Sequence, residues 1–148
     1  AGPTMDSRRT MCAAILFDGG KRVLVVGGHD GEKALASTEV LDLKTMKFKA
    51  GPNMDTKRFG CAVCLLDDGR MLICGGVGEN SAKLDTTEVL DLSKMVFAPG
   101  PRMSVQRSSC AAQKLDSQRV LVLGGQDSSG ARHASTEVLN VQTMTFTP

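Results

Sequence analysis

"STEVLDL", residues 37–43, comes back as "TTEVLDL" at 86–92 and as "STEVLNV" at 135–141. The step is 49 residues, and Glu39, Glu88 and Glu137 mark it. Arg9, Arg58 and Arg107 keep the same step, as do Cys12, Cys61 and Cys110 and the prolines of "GPTM", "GPNM" and "GPRM". Counted from Gly2, three periods of 49 end at Pro148. The sequence therefore reads as a single three-repeat domain over residues 1–148, with repeats near 2–50, 51–99 and 100–148. A period of this size signals a stacked array of supersecondary units.

Within the first repeat, "TMCAAILF" is apolar and lies between "DSRR" and "DGGK". "RVLVVGG" follows, then a polar loop "HDGEKALA", then "STEVLDL" and "KTMKFK" before "AGP". Four short runs rich in Val, Leu and Ile, separated by Gly, Asp and Pro, predict four strands joined by turns. Short links make such a meander antiparallel. No useful helical period is present. "VLVV", "MLIC" and "VLVL" are apolar at every position, so both faces of the second strand must be covered. Repeats stacked face to face supply that cover. The small residues of "CAA" and "CAV" suit the crowded inner end of a wedge-shaped sheet. The predicted fold class is all-β, with three four-stranded antiparallel blades of a β-propeller per chain. Repeat one carries an extra residue in "DGGKR" and lacks one after its double glycine, so loops absorb the differences.

Composition narrows the function. The net charge of +2 is small, acids and bases are mixed, and no Lys/Arg run exists, so neither nucleic acid nor an anionic membrane is an expected partner. No stretch approaches the ~20 apolar residues of a membrane helix. Five cysteines point to a reducing compartment, so the expected location is cytoplasmic, and the in-phase Cys12, Cys61 and Cys110 read as small buried hydrophobes. Cys61 and Cys64 form a C-x-x-C, but on a strand residues three apart face opposite sides, which opposes a shared metal or a disulfide. No metal ligand set and no cofactor is expected.

On these residues the whole chain resembles kelch repeats. An Arg precedes the first strand (Arg9, Arg58, Arg107). A Gly-Gly ends the second (Gly27-Gly28, Gly75-Gly76, Gly124-Gly125), and "EVLDL", "EVLDL" and "EVLNV" occupy the third. Two departures stand out. Leu41, Leu90 and Leu139 replace the family's third-strand Tyr, and Phe48, Phe97 and Phe146 its fourth-strand Trp; the chain has no Tyr or Trp.

A residue needed once for chemistry has no reason to recur in phase, whereas a residue needed by every blade does. Arg9, Arg58 and Arg107 are therefore expected to be partly buried scaffold, their five donors tying loop carbonyls and Glu39, Glu88 and Glu137. No G-K-[ST] follows the glycine pairs, so they are read as turns rather than phosphate loops. Catalytic residues are expected to be none.

Function should lie where the repeats disagree. The kelch resemblance implies that the loop after Gly-Gly and the loop around the Arg project at one end of the ring and grip a partner. By position these give Thr10, Phe59 and Ser108 after each Arg, and His29, Asp30, Val77, Gln126 and Asp127 after each glycine pair. Lys33, Asn80, Arg132 and His133 lie farther out in the same loops. Ser108 is expected to affect binding while leaving stability almost untouched. The mixture suits recognition of a partner protein or peptide. A copper-radical oxidase of the galactose oxidase type would need tyrosines that are absent. A sugar mutarotase and a purely structural half-propeller are the alternatives. Propellers close with about 4–8 blades, so two such chains making six is the one closed ring for identical copies, and a homodimer is expected.

Overall fold

The computed structural model describes residues 2–148. It contains three four-stranded antiparallel sheets, each a sequential meander. The first is β1 (Ala13–Phe17), β2 (Arg22–Val26), β3 (Thr38–Asp42) and β4 (Lys47–Ala50). The second is β5 (Ala62–Leu65), β6 (Arg70–Cys74), β7 (Thr87–Asp91) and β8 (Val96–Pro99). The third is β9 (Ala111–Lys114), β10 (Arg119–Leu123), β11 (Thr136–Asn140) and β12 (Thr145–Thr147). Register repeats with the sequence: Ala13 faces Val26, Ala62 faces Cys74 and Ala111 faces Leu123. These are the four-stranded antiparallel blades that the repeat predicts.

The turn between the third and fourth strands shows why the third strand ends in Asp or Asn. The Asp42 side chain accepts the N–H groups of Lys44 and Thr45, Asp91 those of Ser93 and Lys94, and Asn140 those of Gln142 and Thr143. Only the acceptor oxygen is used, so Asp and Asn are interchangeable there.

Adjacent sheets meet at their first strands, β1 against β5 and β5 against β9, and fan apart from there. Small side chains at this end let the backbones approach. Strand alternation then sends the apolar residues of each blade to two different cores. Between blades one and two lie Phe17, Leu24, Val26 and Val40 with Met54, Cys61, Met71, Ile73 and Leu90. Between blades two and three lie Cys64, Leu66, Leu72, Cys74 and Val89 with Met103, Val120, Val122, Leu139 and Val141. Cys61 and Cys64 thus sit in opposite cores, as their strand spacing requires.

Inside each blade the repeated Arg and Glu form a buried clamp. Arg9 donates to the Gly27 and Ser37 carbonyls through Nη1, both at 2.8 Å, and to Glu39 Oε1 through Nε and Nη2. Arg58 donates to the carbonyls of Gly75 (2.8 Å) and Thr86 (3.1 Å) and to Glu88 Oε1 (2.8 Å). Arg107 donates to the carbonyls of Gly124 and Ser135 and to Glu137 Oε1. Each carboxylate also accepts backbone N–H groups from the loop before its Arg: Asp6 and Ser7, Asp55 and Thr56, and Ser104. The clamp fastens that loop and the Gly-Gly turn to the start of the third strand.

Removing one partner of a buried pair leaves the other charge uncompensated, which costs about 3–5 kcal/mol. Arg58 is 0% exposed, so Arg58→Ala is expected to lower the melting temperature sharply, measured by circular dichroism against wild type. Acid sensitivity follows from Glu39. Burial pushes its carboxyl up, but the Asp6 and Ser7 N–H groups and the Arg9 guanidinium prevail and hold it below the ordinary 4.5. A depressed folded-state value means a stabilisation that is complete above pH 4.5 and fades as pH falls through the folded value. Urea titrations at pH 7 and in that acid range should show Glu39→Gln losing about 1.5–3 kcal/mol at pH 7 and a correspondingly smaller acid loss.

Candidate functional site

Beyond each glycine pair the chain adds one more short ladder. Thr10 bridges His29, which bridges Ala34; Phe59 bridges Val77, which bridges Lys83; Ser108 bridges Gln126, which bridges Arg132. The paired N–H···O bonds of Thr10 with His29, Phe59 with Val77 and Ser108 with Gln126 are 2.8–3.0 Å long. Both loop sets flagged in the sequence therefore come together at one end of the blades. The clamp lies directly beneath and gives that end a fixed base.

Blades one and two build a cleft of about 460 Å³ there. His29, Glu32, Lys33 and Ala34 form one wall, and Lys57, Phe59 and residues 78–81 form the other. The His29 and Phe59 rings meet edge to face across the junction, centroids 5.1 Å apart at 80°. Charges of both signs rim this pair: Lys57 Nζ donates to Glu79 Oε1 at 2.7 Å, and the Lys57 ammonium holds the Glu79 carboxyl below its ordinary range. Among the described residues, Lys33 forms no ion pair and is exposed. Asn80 and Ser81 hold left-handed backbone (φ 51° and 61°) in a 3₁₀ turn, Glu79–Ser81. Such conformations persist in non-glycine residues only where the surroundings impose them.

The loop order is set locally. Asp30 accepts the N–H groups of Lys33 and Glu32, which lower its carboxyl. Asp127 is lowered by the Ser129 hydroxyl and by the Ala131 and Ser129 N–H groups. Both aspartates are thereby turn-formers as well as surface charges. His133 Nε2 lies 3.6 Å from Asp127 Oδ2, beyond hydrogen-bond reach. Gln126 donates to the Gly130 carbonyl and Arg132 is exposed.

His29, Lys33, Phe59 and Asn80 thus line the cleft, and Thr10 stands exposed beside it. Asp127, Gln126, Arg132 and His133 lie on the blade-three loop, away from that cleft. Val77 is buried, bridging Phe59 on one side and Lys83 on the other. Ser108 is buried as well, its hydroxyl donating to the Gln126 carbonyl at 3.1 Å. The expected indifference of stability to Ser108 is therefore corrected: it is an internal tie. Glu32, Lys57, Glu79 and Ser81 were missed, although they lie in the variable loops; repeat comparison marks a loop as variable without saying which side chains turn toward the cleft.

A second cleft, at the opposite end, holds Phe17, Asp18, Arg22, Asp68, Arg70 and Asp91. Both of its arginines are paired: Arg22 with Asp18 at 3.0 Å, stacking 4.6 Å from the Phe17 ring, and Arg70 with Asp68.

Among the described residues no group of three or more His, Cys, Asp or Glu is placed to hold a metal ion, and no helix is long and apolar enough to cross a membrane. The five cysteines are free thiols. Burial pushes Cys61 up to about 11, raises Cys64 and Cys110, and carries Cys74 well above the ordinary thiol range. Thiols so raised are protonated and unreactive at neutral pH. Labelling with a thiol-specific reagent at pH 7.5, read by mass spectrometry, is expected to spare Cys61 and Cys74 until denaturant is added.

Compared with known protein families, residues 8–55 match the Kelch motif. No curated protein matches the chain.

Proposed function

From the premise that the chain carries a kelch motif at residues 8–55 and repeats its blade twice more, we propose a protein-interaction module that binds a partner protein through an exposed peptide segment. The observation that carries this reading is the His29–Phe59 pair, which meets across a cleft lined also by Lys33, Lys57, Glu32 and Glu79. An aromatic anchor surrounded by charges of both signs is the composition of a recognition hot spot. The partner segment presents one apolar side chain to Phe59 and flanks it with polar or charged residues. The chain binds and does no chemistry of its own. The five free cysteines support a reducing, cytoplasmic setting.

Selection of random peptides displayed on phage tests the reading. Selected peptides should bind wild type and lose about 10–100-fold in affinity to Phe59→Ala, the weight of an anchor residue. Val96→Ala, an exposed residue on β8 outside the cleft, should bind unchanged. Peptides indifferent to Phe59→Ala would overturn the proposal.

A further inference from the structure

The two junctions between blades are chemically identical. At the first, Gly28 N–H donates to the Arg58 carbonyl (2.9 Å), Arg58 N–H to the Leu35 carbonyl (3.1 Å), Met54 N–H to the Ala36 carbonyl (2.9 Å) and Gly60 N–H to the Met11 carbonyl (2.8 Å). At the second, Gly76 donates to Arg107 (2.8 Å), Arg107 to Leu84 (3.0 Å), Met103 to Asp85 (2.9 Å) and Ser109 to Gly60 (2.8 Å). Every position is shifted by 48 or 49 residues.

The outer sides of blades one and three carry the halves of a third such junction. Among the described residues, blade three leaves the Gly125 N–H without an acceptor and the His133, Ala134 and Ser109 carbonyls without donors. Blade one leaves the Met5, Arg9 and Met11 N–H groups and the Arg9 carbonyl unused. One donor and three acceptors face three donors and one acceptor in the order that the two formed junctions use.

Side chains match this pattern. Phe17, Leu66 and Leu115 occupy one position in the three blades and are 2%, 3% and 47% exposed. On blade one, Leu16 is 51% exposed, whereas Leu65 at the same place in blade two packs into a core. The glycines agree. A Cβ on Gly27 would strike the Arg58 carbonyl oxygen and one on Gly75 that of Arg107, whereas on Gly124 the nearest atom is the His133 oxygen at 3.7 Å. The site for a following Arg carbonyl is therefore built and open.

We propose that a second copy of this chain covers both open faces, blade three of each copy meeting blade one of the other in a closed six-bladed dimer. The occupant is assigned by complementarity: blade one is the surface whose donors, acceptors and apolar side chains fit blade three as blades two and three fit the blades before them. Head-to-tail pairing about a two-fold axis closes and leaves neither face open, and six blades lie within the ~4–8 that form rings. The inference stands on the junctions and does not depend on what the loops bind. It does complete the loop end: Arg8 and Thr10 correspond to Lys57 and Phe59, so closure sets Arg8 and Thr10 of the partner subunit opposite Gln126 and Arg132.

Sedimentation equilibrium of the chain at micromolar concentration should return twice its 15.7 kDa mass. Leu16→Glu and Leu115→Glu should each sediment as monomers while keeping the wild-type circular dichroism spectrum. Val96→Glu, at a more exposed site on β8 of the middle blade and outside both inter-blade cores, should remain dimeric. An equimolar mixture of Leu16→Glu and Leu115→Glu should recover a heterodimer through its one unaltered junction. A monomeric wild type, an open-ended series of larger species, or dissociation by only one of the two variants would each overturn the closed dimer.

Discussion

The structure depends on the guanidinium of Arg9, Arg58 and Arg107. A buried Arg is tolerable only when its charge is paired and its donors are used. Here the fork spans the Gly-Gly carbonyl, the carbonyl before the third strand and the Glu carboxylate. The same residue's backbone does a second job, since the Arg58 N–H and carbonyl both bond to blade one. One residue thus closes its own blade from within and docks that blade on its predecessor. Loop position, strand start and blade spacing are coupled through it, and the candidate cleft inherits its shape from that coupling.

The glycine pair is the counterpart of this arrangement. Gly27 and Gly75 hold left-handed backbone, and the carbonyl of the next Arg packs where a Cβ would stand. Gly28 and Gly76, the second glycines of those pairs, donate their N–H groups to that same carbonyl. Arg and Gly-Gly are therefore two halves of one contact between successive blades, which is why they recur together at a fixed step.

This coupling explains what could be read in the sequence. Strand number, blade boundaries, the Arg–Glu pairing and the opposite facing of Cys61 and Cys64 all follow from period and alternation, which are backbone properties repeated three times. The Tyr and Trp departures are equally readable: Leu90 is fully buried, and Phe97 and Phe146 pack against the blade junctions, so volume and apolarity suffice at these places. Side-chain exposure in the loops could not be read this way. Thr10, Phe59 and Ser108 share one backbone position, yet Thr10 is exposed, Phe59 half-buried and Ser108 buried. The difference comes from the opposing residue, His29, Val77 or Gln126, and from how the loop beyond it folds back. Such contacts are particular to each blade and leave no periodic trace.

The cleft has the same origin. Its two walls belong to different repeats, His29 and Lys33 coming from blade one and Phe59 and Lys57 from blade two. The proposed recognition unit is therefore the junction between blades one and two. Variation in either loop changes this cleft while the clamp beneath holds the frame constant. A frame of invariant junction bonds below and variable side chains above lets three nearly identical blades present unlike surfaces. Stability is assigned to the residues that repeat, and specificity to the pairs of residues that meet across a seam.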